Sequence, residues 1–199
     1  MSYPKDLADL INSFKKLPGI GEKSAERMAL SILEFNQHDV DNFSSSLLNC
    51  HNNLHPCSIC GHITDSDICN ICSDSVRDKN VICVLEDYKS VFAFEKAGNF
   101  NGVYHVLNGL ISPVDDINPE DINISSLVDR VSKLDKVELI IALKSTIEGE
   151  TTTMYLQKIF EGKNVDISRL SYGIPMGAEI DYLDDITLDR ALNDRKKIS

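Results

Sequence analysis

Four cysteines are the residues whose spacing most directly implies chemistry. Cys57-Ser58-Ile59-Cys60 and Cys69-Asn70-Ile71-Cys72 form two CxxC units separated by eight residues. Two thiolates three residues apart can turn around one ion, and two such turns close a tetrahedron at Zn–S of about 2.3 Å. With all four positions cysteine, no coordination site stays open, so the expected zinc, one per chain, is structural. Gly61 follows the first pair, where a backbone of positive φ is often needed. Disulfides, a redox pair or an iron–sulfur cluster are the other uses of such thiols. The absence of an export signal favours a reduced compartment, hence metal, and nothing nearby favours a cluster. A four-thiolate zinc site adds a charge of about −2. Cys50, His51, His55 and His62 are read as surface residues or outer neighbours of the site.

A second constellation is Leu17-Pro18-Gly19-Ile20-Gly21, followed by Glu22-Lys23-Ser24-Ala25. Gly19 and Gly21 allow a tight turn and close approach of a ligand to the backbone. The free amides at the start of the following helix, with the positive dipole end behind them, suit a phosphate. Lys23 and Arg27, four apart, share a helix face and can flank that phosphate. This pattern matches a helix-hairpin-helix, a reader of DNA backbone that ignores sequence. The alternative is a tight turn with solvated Lys and Arg, and the interleaved Glu22 and Glu26 favour it. A P-loop is excluded, because Gly does not directly precede Lys23 and no strand leads into the turn.

The third group is acidic. Glu86-Asp87 follows the expected strand at 81–85, and Lys144-Ser145-Thr146-Ile147-Glu148-Gly149-Glu150 follows the expected strand at 137–143. Open α/β sheets place their sites past strand C-termini. The arrangement resembles the Toprim fold of topoisomerases and primases, which hold Mg²⁺ with a Glu after one strand and a DxDxxGE segment after a later one. Lys144 and Thr146 stand where that segment has its two Asp, and an ammonium repels a cation rather than ligating it. Glu86, Asp87, Glu148 and Glu150 remain, the last two also suited to offset a helix dipole. We therefore read a degraded site without catalytic residues.

These residues must be positioned by an α+β / α/β multi-module chain. Leu7, Leu10, Ile11, Phe14 and Leu17 share one helical face, Ala25, Met28, Ala29 and Ile32 a second; Asp39 is expected to cap a third helix carrying Val40, Phe43, Leu47 and Leu48. Residues 55–73 are too few to own a core. From 81 to 170 strands (81–85, 103–106, 137–143, 165–168) alternate with helices (90–97, 124–134, 150–160), predicting a parallel sheet with crossovers. Cys83 is a small core residue of the first strand. The expected division is 1–53 helix-hairpin-helix DNA-binding region, 54–76 four-cysteine zinc finger, 77–170 Toprim-like domain and 171–199 C-terminal arm and helix for oligomerisation. In that arm Tyr172, Ile174, Pro175, Met176, Ile180 and Tyr182 either pack on a neighbouring copy or fold back as an edge strand, and a short helix is expected around 187–192.

The formal charge of −11 opposes DNA binding in bulk. Within residues 1–36, however, Lys5, Lys15, Lys16, Lys23 and Arg27 balance Asp6, Asp9, Glu22, Glu26 and Glu34. A neutral head on an acidic body can bind phosphate weakly, so several subunits would be needed. No apolar run approaches the roughly 20 residues of a membrane span, and no signal peptide is evident. A cytoplasmic, nucleoid-associated protein is expected, with no membrane partner.

The hairpin, the four-cysteine unit and an acid-poor Toprim segment, in that order, resemble the RecR family of bacterial recombination mediators nearly end to end. Carrying the resemblance are Leu17-Pro18-Gly19-Ile20-Gly21, both CxxC units, Glu86-Asp87, Tyr104-His105-Val106-Leu107, Ser112-Pro113, Glu148-Gly149-Glu150-Thr151-Thr152 and Gly173-Ile174-Pro175-Met176-Gly177. Ile180-Asp181-Tyr182-Leu183-Asp184-Asp185 is similar to a stretch described there as Walker-B-like; without a Walker A, nucleotide binding does not follow. Lys144-Ser145 departs from an Asn-Pro typical of the family. The resemblance implies a non-catalytic clamp in recombinational repair. It would bind single- and double-stranded DNA and act with RecO-type and RecF-type proteins to load RecA on single-stranded DNA, as a homotetrameric ring. The competing expectation is a small Toprim-type metal-dependent nuclease or primase-like enzyme using Glu86, Asp87, Glu148 and Glu150.

Overall fold

The computed structural model describes residues 3–171, 174, 176–195 and 197. Within the C-terminal arm, Tyr172, Gly173 and Pro175 lie outside the described residues, as do positions 1, 2, 196, 198 and 199. The chain divides into two compact units, 1–54 and 55–199.

The first unit is helical: α1 (Lys5–Lys15), α2 (Glu22–Ile32) and α3 (Gln37–Asn53). Ile11 of α1 is buried against Ala25 and Ala29 of α2, with Leu7, Leu10, Phe14 and Ile20 around them. Two alanines at helical spacing let the axes approach closely, which fixes the turn between α1 and α2. The third helix is capped by Asn36, not by the expected Asp39. The Asn36 side chain accepts from the Asp39 amide at 3.0 Å and donates to the Asp39 carboxylate at 2.7 Å. Asp39 is thus the partner three residues on, bonded through both its amide and its carboxylate to the one capping side chain. No residue of α3 is buried; Phe43, Leu47 and Leu48 are about half exposed.

The second unit begins with the hairpin of β1 (His55–Pro56) and β2 (Ile63–Thr64) and the short α4 (Asn70–Ser73). It continues as β3 (Val81–Leu85), α5 (Tyr88–Ala97), β4 (Val103–Val106), α6 (Ile124–Val131), β5 (Val137–Ala142), α7 (Ile147–Phe160) and β6 (Val165–Arg169). A 3₁₀ turn (Ile180–Tyr182) and α8 (Asp185–Asn193) follow. The sheet is parallel throughout, in the order β4-β3-β5-β6. Side-chain alternation along β3 splits the core. Ile82 and Val84 face α6 and α7 through Leu127, Val131, Leu156 and Phe160, while Cys83 and Leu85 face Val91 and Phe94 of α5. Helices on both faces explain the near-continuous apolar strands. The helix at 124 ends at Val131, short of the expected 134. That at 147 begins three residues earlier than expected, because Thr146 caps it by accepting from the Gly149 amide. No edge strand forms among the described residues of the arm.

Candidate DNA-binding hairpin, metal centre and Toprim site

In the hairpin, Gly19 has φ +80°, which only glycine adopts without strain, and reverses the chain after α1. Gly21 is extended (φ −81°, ψ 173°), a conformation open to any residue, and an added Cβ would meet nothing within 4 Å. Internal packing therefore does not explain glycine at 21; an open approach to the first turn of α2 does. No side chain caps that turn, so its amides remain available to an anion. Lys23 and Arg27 are exposed on the same face and form no ion pair among the described residues. The competing Glu26 is engaged by the Tyr3 hydroxyl at 2.7 Å, which pushes the tyrosine's own pKa up.

The sulfurs of Cys57, Cys60, Cys69 and Cys72 lie within 4.8 Å of one another and form no disulfide. The first turn closes through Cys57 N to His62 O (2.7 Å) and Gly61 N to Cys57 O (3.0 Å), with Gly61 at φ +73°. A methyl on Gly61 would press Val106 O and Asn123 Nδ2, so this glycine also serves close packing on β4. The amides of Cys69 and Cys72 donate to the sulfurs of Cys57 and Cys69, at 3.3 and 3.5 Å. Hydrogen bonds from the Cys60 and Cys72 thiols hold the Cys69 thiol well below its usual range, and donation to Cys69 pushes Cys60 up. Crowded sulfurs sharing protons, with amides aimed at them, are a donor set that a divalent soft-ligand ion satisfies. Bound there, zinc would tie the two CxxC units together without supplying a reactive position. Among the neighbours, Cys50 is exposed, whereas His62 is buried, edge-on to Phe92 with ring centroids 5.0 Å apart. Of the two expectations for it, the surface one fails and the outer-neighbour one fits: His62 is interior, and its carbonyl accepts from the Cys57 amide.

Two of the acids past the sheet, Glu86 and Glu150, meet cations of the same chain. The strand order reverses between β3 and β5, the point at which open sheets form their crevice. Glu86 follows the first of these strands and Lys144 the second, and they pair at 2.8 Å. The bond to Glu86 raises the Lys144 pKa. Asp87 caps α5 through the Ser90 amide and hydroxyl; burial pushes its carboxyl up, these bonds pull it down, and the net is below the usual range. The Thr146 hydroxyl likewise lowers the pKa of Glu148, which is half-buried. Glu150 lies 3.6 Å from Arg169 and 3.7 Å from Arg190, and Arg190 also donates to Ser145 O at 3.3 Å. Gly149 is required: a Cβ there would overlap the Lys144 carbonyl. Sequence reasoning missed both arginines, which come from strand and helix ends far along the chain. The Walker-B-like stretch makes the 3₁₀ turn and the cap of α8, where Asp184 accepts from the Thr187 amide at 2.9 Å. No described helix is long and apolar enough to cross a membrane.

Models of known families match the chain along its length. Residues 7–51 match "RecR, helix-hairpin-helix", 54–74 the RecR zinc-finger domain of four cysteines, 80–171 "Toprim domain" and 173–196 "RecR, C-terminal". A curated relative, "Recombination protein RecR" of Lactobacillus johnsonii, is 50% identical over 196 residues, covering 98% of each chain.

Proposed function

Because the chain belongs to the RecR family of recombination proteins, we propose that it serves recombinational DNA repair as a non-catalytic DNA clamp. The observation that carries this reading is the hairpin. It offers uncapped α2 amides, a Gly21 whose missing side chain nothing in the fold demands, and the exposed pair Lys23 and Arg27. Backbone amides and two cations bind phosphates of single- or double-stranded DNA alike and carry no base information.

Each hairpin supplies few contacts on an acidic body, so the clamp works as an oligomer whose hairpins act together. We propose a homotetrameric ring, with the arm after residue 170 packing on a neighbour through exposed Met176, Ile180 and Tyr182. Cys57, Cys60, Cys69 and Cys72 hold one structural zinc per chain. RecO-type and RecF-type proteins are the partners with which it loads RecA on single-stranded DNA in the cytoplasm, at the nucleoid. The acidic body suits a basic face of RecO.

The test is RecA loading on single-stranded DNA covered by single-strand-binding protein, with RecO present. Acceleration by this chain, lost in Lys23→Glu, supports the reading. Loading that proceeds equally well without the chain overturns it. Light scattering over a concentration range tests the ring, and a strict monomer with and without DNA removes it.

A further inference from the structure

Lys79 lies two residues before β3, outside the CxxC units, yet its ammonium is spent on the second of them and the helix end that follows it. Its Nζ donates to Ile71 O (3.2 Å), to Cys72 O (3.0 Å) and to Asp74 O. An ammonium has three protons and no acceptor, so the three carbonyls use its full capacity. These carbonyls belong to the C-terminal end of α4 and the residue that caps it, where a helix leaves acceptors without intrahelical donors. Two of them belong to the peptide groups on either side of Cys72. Taken as whole residues, Cys57, Cys60 and Cys69 are at most 4% exposed, whereas Cys72 is only half-buried. Lys79 thus clamps the backbone of the ligand residue that the fold itself covers least.

We infer that Lys79 is a positioning residue for the zinc, holding the second CxxC unit in its ligating shape and slowing metal loss. This rests on the assignment of the four cysteines as zinc ligands. Two effects act together. The clamp removes backbone freedom from Cys72, so a dissociated thiolate stays poised to rebind. The fixed positive charge offsets part of the −2 of a four-thiolate zinc site. Partners that orient ligands in this way commonly change metal affinity about 10- to 100-fold.

The experiment uses the full zinc-loaded chain and follows zinc transfer to a chromogenic chelator, well below the unfolding temperature of every variant. Lys79→Met should release zinc at least about tenfold faster than the parent, with an unchanged far-UV spectrum. Lys79→Arg should fall between the two, because its planar fork cannot aim three protons from one atom. Phe160→Leu, at the end of α7 beside Val165 and Ile167 of β6, loosens the fold at the opposite edge of the sheet from β4 and should release zinc at the parental rate. Parental release by Lys79→Met, or equal acceleration by Phe160→Leu, overturns the role of Lys79. If Lys79→Met does not fold, Lys79→Arg decides alone, and parental release by it overturns the proposal. A parent that binds no zinc at all would instead defeat the underlying ligand assignment.

Discussion

Lys144 Nζ sits 2.8 Å from Glu86 Oε1, across the point where the strand order of the sheet reverses. Lys144 occupies a position at which Toprim enzymes carry a metal-binding Asp. Its ammonium supplies to Glu86 the positive charge that a cation would otherwise bring, and Arg169 and Arg190 do the same for Glu150.

Replacing both non-acidic positions, Lys144→Asp with Thr146→Asp, should convert this self-neutralised crevice into one that binds Mg²⁺. The parent's unfolding midpoint should not move with Mg²⁺. The double variant should be less stable than the parent without metal, because carboxylates then crowd Glu86, and should be stabilised as Mg²⁺ rises, by mass action. Calorimetric titration checks binding directly; a parent that binds Mg²⁺ as well as the variant contradicts the ion-pair account. The parent should also show no Mg²⁺- or Mn²⁺-dependent DNA cleavage.

Lys23→Glu and Arg27→Glu should weaken binding to all DNA sequences equally. Loss of one phosphate contact should reduce the slope of log affinity against log salt by about 1. Fluorescence anisotropy across a salt series measures both. Unchanged affinity in the two variants would mean that the hairpin is only a turn.

Cys69→Ser should abolish stoichiometric zinc and unfold the segment around it, since that segment has little core beyond the cysteines and Ile71. Ile71 also packs into both faces of the sheet core, so the damage should spread. We expect a loss of about 3 kcal/mol or more, a fall in Tm of roughly 10 °C. Elemental analysis and thermal unfolding test this.

His105 is fully buried, with Nε2 2.9 Å from Asn123 O and its Nδ1 without a partner. Burial lowers its pKa from 6.5 to about 4. A base whose folded pKa lies below its unfolded value binds more protons when unfolded. Its contribution is therefore complete above pH 6.5 and lost as pH falls from there through about 4, worth roughly 3 kcal/mol. Stability profiles of parent and His105→Asn should differ in slope only in that window. Parallel profiles would show that His105 titrates normally.

Much of this is legible in sequence because short-range rules govern it. The CxxC spacing, Gly19 at a left-handed turn and the strands at 81–85 and 103–106 each follow from a few adjacent residues. What escapes depends on competition or distance. Asn36 and Asp39 are both good caps, and the helix starts at the earlier of the two. The start of α7 is hard to place because Lys144-Ser145 carries no helix signal, while Thr146 caps from just beyond it. Arg169, Arg190 and Lys79 find their partners through tertiary folding, so no local pattern announces them.

The β4 strand lies at one end of the sheet, and its polar groups are taken by groups outside it. Val106 N donates to Cys60 O at 2.7 Å, Val106 O accepts from Asn123 Nδ2 at 3.0 Å, and Tyr104 O accepts from Arg130 at 2.7 Å. A fibre grows by heterologous addition and needs two open edges per copy, one to receive and one to offer. Open-ended strand addition therefore lacks one of the two edges it would need. The zinc-bearing turn that contributes Cys60 thereby doubles as a cover for that edge of the sheet.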